Sequence, residues 1–184
     1  MKSVLAAIVG GLVVFVWSAI AHMALPIGTM GISTLPDEQP VLDVLREKVP
    51  ANGLYFIPGM DPKSKDPQYH ENWQKKYESG PAGLLIVHPR GMKSMTARLM
   101  AIELATDVAA AWVVTLVFAG MAVGAGRRMV IAALLGLFAW LSISVSYWNW
   151  YGYPLAYVTG EALDQIIGWA LGGLAMANLV KPSA

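Results

Sequence analysis

Four apolar stretches, each long enough to cross a lipid bilayer, constrain this chain more than any other feature. About 20 residues at a rise of 1.5 Å cross a hydrocarbon core about 30 Å thick. The first stretch is Val4–Leu25, whose only ionisable side chain is His22. The second runs from Ala97 to Gly126, with its cleanest apolar part from Val108 to Ala125. The third is Met129–Tyr147 and the fourth Gly160–Val180. Backbone in lipid must satisfy its own hydrogen bonds, so such stretches read as helices. Hydrophobic residues make up 56% and charged residues 14% of the 184 positions, against about 25% charged in an ordinary globular domain. The expected fold is a mainly α membrane protein: four transmembrane helices with a small α/β domain outside the membrane, between helices 1 and 2. That divides the chain into residues 1–25, 26–96 and 97–184, with the last three spans at 97–126, 129–147 and 160–180.

Charge distribution sets the orientation. Pro26–Thr96 holds 16 of the 25 charged residues, eight of each sign, and so reads as a water-facing segment without net charge. Lys2, Arg127, Arg128 and Lys181 flank the spans. Placing both termini in the cytoplasm puts all four on the side that attracts basic residues, while long loops translocate regardless of their charge. The loop Trp148–Thr159, with Tyr147 beside it, is aromatic, as expected of an interfacial belt on the opposite side. Ala19-Ile20-Ala21 resembles a signal-peptide cleavage site. The apolar run is longer than the usual core of about 7–15 residues, so an uncleaved signal anchor is expected.

Within the outer segment, Thr34-Leu35-Pro36-Asp37-Glu38 reads as a helix start, and Val41, Leu42, Leu45 and Val49 recur at helical spacing. Leu54–Ile57 and Leu84–Val87 read as short strands, and Asp66–Ser79 as a helix with Trp73 and Tyr77 on one face. The expected order is α-β-α-β. Two strands alone are marginal in water, so the segment needs something to pack on.

Several chemistries are set aside. A net charge of +1 does not suit nucleic acid. The absence of cysteine removes disulfides, thiolate metal sites and thiol nucleophiles. Walker loops, nucleophile elbows and H-E-x-x-H are missing, and His22 is the one histidine inside a span, too few for a bis-histidine haem. No catalytic set and no cofactor is expected. Ser142 and Ser146 are expected to bond to their own helix carbonyls.

The informative residues are ionisable ones in or beside the spans. Glu103 and Asp107 lie four apart on the second span, Glu161 and Asp164 three apart on the fourth, and His22 near the outer end of the first. All five fall toward the outer half of the membrane. They form a candidate proton, ion or structural polar cluster, because intramembrane acids are costly and mark relays or ion sites. Against that stands the placement of Glu161 and Asp164 in first turns, where acids favour the helix dipole. Arg98 is available as a countercharge. A weaker copper candidate is His88 with Met92 and Met95, and with Met60 as a further thioether, since imidazole and thioether suit Cu(I). Methionine is also an ordinary packing residue. Gly120 with Gly124, and Gly168 with Gly172, are four apart and suggest close helix contacts.

The segments Ser142–Pro154, Gly53–Gly59 and Gly83–Arg90 together resemble a group of small bacterial four-span inner-membrane proteins with an extracytoplasmic domain. The resemblance implies an inner-membrane location with residues 26–96 periplasmic, and brings no activity or site residues. The leading expectation is a non-catalytic accessory or scaffolding subunit of a larger respiratory, photosynthetic or transport complex, partnered by lipid and other membrane subunits. One alternative is a small proton- or metal-coupled transporter or membrane enzyme using the outer-leaflet carboxylates. Another is an envelope sensor or chaperone that binds through the outer domain.

Overall fold

The long apolar runs fold as helices, and the charged stretch after the first folds as a separate unit. The computed structural model describes residues 2–180. Its helices are α1 (Lys2–Met23), α2 (Gln39–Lys48), α3 (Tyr69–Ser79), α4 (Ala97–Ala119), α5 (Ala125–Ser142), α6 (Ser144–Tyr151) and α7 (Leu155–Met176). Strands β1 (Gly53–Ile57) and β2 (Gly83–Val87) form a two-stranded antiparallel sheet with Tyr55 opposite Leu85. One unit runs to Ile32 and resumes at Met95; the other is Ser33–Ser94. Lys181 lies outside the described residues.

In the helical unit, α4 packs on α1, α1 on α7, and α7 on α5. The side chains are distributed inside out for a water-soluble protein. Ala6, Ala7, Gly10, Gly11, Val14 and Ala21 form the buried face of α1, while Leu5, Ile8, Leu12, Val16 and Ile20 remain 44–50% exposed. Water would penalise that arrangement by about 25 cal/mol for each Å² of exposed apolar surface. Lipid does not, and helices in lipid associate through small residues that let backbones approach. A Cβ added at Gly11 would stand 2.5 Å from Val108 Cα; one at Gly173 would stand 2.3 Å from Ala132 Cβ. The common core at one end is Ala6, Ala111, Val114, Phe118, Ala132, Met176 and Val180.

Three helical segments are long and apolar enough to cross a membrane: Lys2–Met23, Ala97–Ala119 and the α5–α6 run Ala125–Tyr151. They are compatible with a multi-pass membrane protein. Four spans were expected. The fourth stretch also folds as a helix, α7, but Glu161, Asp164 and Gln165 leave it less apolar than the others.

The helix ends also differ from expectation. The second helix stops at Ala119 rather than near Gly126, with Gly120 at its C-cap and Gly124 at the N-cap of α5. The pair Gly120 and Gly124 therefore lies in a turn and not on a helix face. A Cβ at Gly124 would meet no atom within 4 Å. Its φ of −73° is open to any residue, so Gly124→Ala is expected to move unfolding by less than about 0.5 kcal/mol in a thermal melt. Gly168 and Gly172 do sit at a helix contact: a Cβ on either would stand 2.8 Å from an α1 side chain, Trp17 or Val14 respectively.

The third stretch starts earlier and runs further than 129–147, interrupted at Ile143. Ser142 Oγ donates to the carbonyls of Phe138 and Ala139, and Ser146 Oγ to that of Ser142, the back-bonding expected of them. Most of the aromatic loop is taken up by α6 and α7. Gly152 turns the chain in the left-handed region (φ 69°), and Tyr153 stacks on Tyr147 and lies tilted against Tyr157.

In the Ser33–Ser94 unit, Phe56 of β1 stacks with Trp73 and Tyr77 of α3, and Trp73 Nε1 donates to the Pro58 carbonyl at 3.1 Å. The order α-β-α-β holds, with later starts. Helix α2 begins at Gln39 with Glu38 at its N-cap, not at Thr34. Helix α3 begins at Tyr69, because Asp66 instead turns the chain, its carboxylate accepting from the Gln68 amide at 2.9 Å.

Candidate functional site

Two tryptophans tie α7 to its neighbours at the end of the bundle opposite the common core, Trp17 to α1 and Trp140 to α5. Gly168 leaves room for the Trp17 ring, and Trp17 Nε1 donates to the Asp164 carbonyl at 3.1 Å. Buried indole N–H groups need such partners. Across the bundle, Trp140 Nε1 likewise donates to the Val158 carbonyl at 2.6 Å, holding α5 to α7.

Below Trp17, α1, α4 and α7 leave a cavity of about 100 Å³. Glu103, Asp107 and Asp164 line it, with Ser18, Gln165 and Trp169. Asp107 lies within electrostatic reach of Glu103, one turn away on α4, and of Asp164 on α7. Asp107 Oδ2 and Asp164 Oδ1 are buried and accept no hydrogen bond from protein. Buried carboxylate oxygens need donors. A polar cavity of this size has room for several waters, since one needs only about 10–15 Å³.

His22 and Glu161 stand at the margin. His22 lies within electrostatic reach of both Glu161 and Asp164. His22 Nδ1 lies 3.0 Å from the Ser18 carbonyl. A carbonyl only accepts, so this nitrogen donates. The backbone of Gly28 packs directly on the imidazole. The five expected residues thus fall into two overlapping groups, Glu103–Asp107–Asp164 around the cavity and His22–Glu161–Asp164 beside it. Among the described residues, no three His, Asp or Glu side chains converge closely enough to hold a metal ion. Arg98 forms no ion pair: the pairs among the described residues are Arg46–Asp43, Lys48–Glu47 and Lys75–Glu71, all exposed in the Ser33–Ser94 unit.

The copper candidates are divided between the units. His88 and Met92, with Met60, belong to Ser33–Ser94, and Met95 to the helical unit. The His88 carbonyl closes a turn by accepting from the Gly91 amide at 2.7 Å. Met92 and Met95 are both more than 60% exposed.

Arg128 is the residue whose role the sequence reading missed. Taken there only as a flanking charge, it is 3% exposed. Its Nη1 donates to the carbonyls of Ala177 and Val180, and its Nη2 to those of Phe118 (3.3 Å) and Met121 (3.1 Å). The guanidinium also lies over the Phe118 ring, 5.4 Å from its centroid. One cation therefore closes the C-terminal ends of α4 and α7, where helix dipoles attract positive charge. The signal was periodicity: Arg128, Ala132 and Gly136 are four apart and form the buried face of α5, whereas Arg127 points outward.

Set against protein-family models, curated proteins and solved structures, the chain matches none.

Proposed function

We propose that this chain is a four-span protein of the bacterial inner membrane, and that it works as a small proton-coupled transporter through its carboxylate-lined cavity. Both termini are cytoplasmic and residues 26–96 periplasmic, which places the cavity in the outer half of the membrane. Helix α7 supports the fourth span: its 22 residues reach about 33 Å, and it packs between α1 and α5. Its acids then face the bundle rather than lipid, the arrangement expected of functional intramembrane carboxylates. The orientation rests on Lys2, Arg127 and Lys181, since Arg128 is engaged within the protein.

The observation that carries the transporter reading is the pair of buried, unpartnered oxygens, Asp107 Oδ2 and Asp164 Oδ1, on one small cavity. Purified protein in liposomes loaded with a pH-sensitive dye tests it. Wild type is expected to dissipate an imposed pH gradient, and the double variant Asp107→Asn with Asp164→Asn to do so at least tenfold more slowly. Proton movement equal to that of empty liposomes, or unchanged in the variant, overturns the reading.

The accessory-subunit reading has its own support. The helices lie in the order α4–α1–α7–α5, so α4 and α5 form edges. Val113 and Leu116 on α4, with Leu134 and Phe138 on α5, are more than half exposed. Another subunit can cover those edges as well as lipid can. Purification in mild detergent separates the readings: a stable partner in fixed ratio supports the subunit, a monodisperse single chain the transporter.

A further inference from the structure

A second pocket, of about 290 Å³, opens between the C-terminal half of α1 and the start of α4. Its walls are apolar, formed by Phe15, Ala19, Met95 and Met100, and its polar groups include His22 and Glu103. Glu103 and Ser18 line both this pocket and the smaller cavity, so the Glu103 carboxylate stands where the two adjoin. We propose that this pocket binds a lipophilic organic cation, an ammonium or phosphonium with an apolar body, whose charge is met by Glu103. The proposal rests on the transporter reading and names its substrate class.

Charge and surface select that class together. The Glu103 side chain has no hydrogen bond or ion pair among the described residues, and it also lines the smaller cavity with Asp107 and Asp164. An anion is repelled. A small hydrated ion gains nothing from apolar walls, and the carboxylates do not converge into a ligand set that would replace its water. A delocalised cation loses little hydration on entry and gains the burial of its body. Methionine thioethers and a phenyl ring are adaptable, polarisable walls for such a body, and the ring face attracts cations. The volume is near the lower end of the roughly 300–1,000 Å³ typical of small-molecule sites.

Titration of the purified full chain in detergent with tetraphenylphosphonium, followed by calorimetry, tests the proposal. Saturable one-to-one binding to wild type is expected, weakened at least tenfold in Glu103→Gln. Ala19→Trp, which fills the apolar wall, and Met100→Lys, which places a competing cation three residues before Glu103, are expected to weaken it as much. Using both keeps the test open should one of them fail to fold. Absence of binding, or binding equal in wild type and every folded variant, overturns the proposal. So does a co-purifying phosphatidylethanolamine that tetraphenylphosphonium does not displace, which would assign the pocket to a lipid. Binding that depends on Glu103 but never drives proton movement in liposomes would leave the pocket standing and remove the coupling reading instead.

Discussion

Arg128→Met is expected to destabilise the helical unit by about 3–5 kcal/mol, because several buried carbonyls lose a charged donor at once. Methionine fills much of the space but donates nothing. Four carbonyls lose the guanidinium; that of Phe118 keeps the Met121 amide, while those of Met121, Ala177 and Val180 lose their donor. Leaving a buried polar group unsatisfied costs about 1–3 kcal/mol, and hydrogen bonds to a charged group contribute about 1.5–3 kcal/mol each. The effects are not additive, because water can enter at the helix ends. Arg128→Lys keeps the charge yet lacks the planar fork that reaches both helices, so it is expected to recover only part of the loss. Thermal or denaturant unfolding in detergent measures both variants. A loss below about 1 kcal/mol for Arg128→Met would mean that the two helix ends are held by packing alone.

Gly11→Leu is expected to be nearly as damaging, at about 2–4 kcal/mol, toward the upper end of what overpacking costs. The new Cβ would meet Val108 Cα at 2.5 Å and Val108 N at 2.6 Å. Both are helix backbone and cannot rotate away, so α1 and α4 must separate. Val108 immediately follows Asp107, so the separation also widens the cavity. The variant should therefore lose stability and transport together, whereas Gly124→Ala should alter neither. Equal stability of Gly11→Leu and wild type would contradict the close α1–α4 contact.

What was legible in the sequence was mostly what depends on one segment at a time. The apolar runs announce long helices because length and composition suffice. Trp73 and Tyr77 share a face of α3 at a ring separation of 5.2 Å because helical spacing alone puts them there. Helix ends were less legible, since competing signals lie side by side. Gly120 and Gly124 fit a contact motif and a turn equally well, and only the turn is formed. Thr34-Leu35-Pro36 fits a cap, yet the helix waits until Gln39. The site is a different case. Spacing places Glu103 with Asp107, and Glu161 with Asp164. That Asp107 and Asp164 line one cavity depends on α1 lying between α4 and α7, a packing order carried by Gly11, Gly168 and Gly172. The pocket beside Glu103 and the inward turn of Arg128 belong to the same tertiary level.

The cysteine-free chain allows a direct test of the central claim, a water-filled carboxylate cavity in the outer half of a membrane bundle. Single variants Glu103→Cys, Asp107→Cys and Thr115→Cys, expressed in intact cells, would be exposed to a small membrane-impermeant cationic methanethiosulfonate. Thr115 is fully buried two turns further along α4 and serves as the dry reference. The cysteines replacing Glu103 and Asp107 should be modified from outside, the former faster, while the one replacing Thr115 is spared. No reaction at either acidic position from outside, or reaction only in inverted vesicles, would contradict the account.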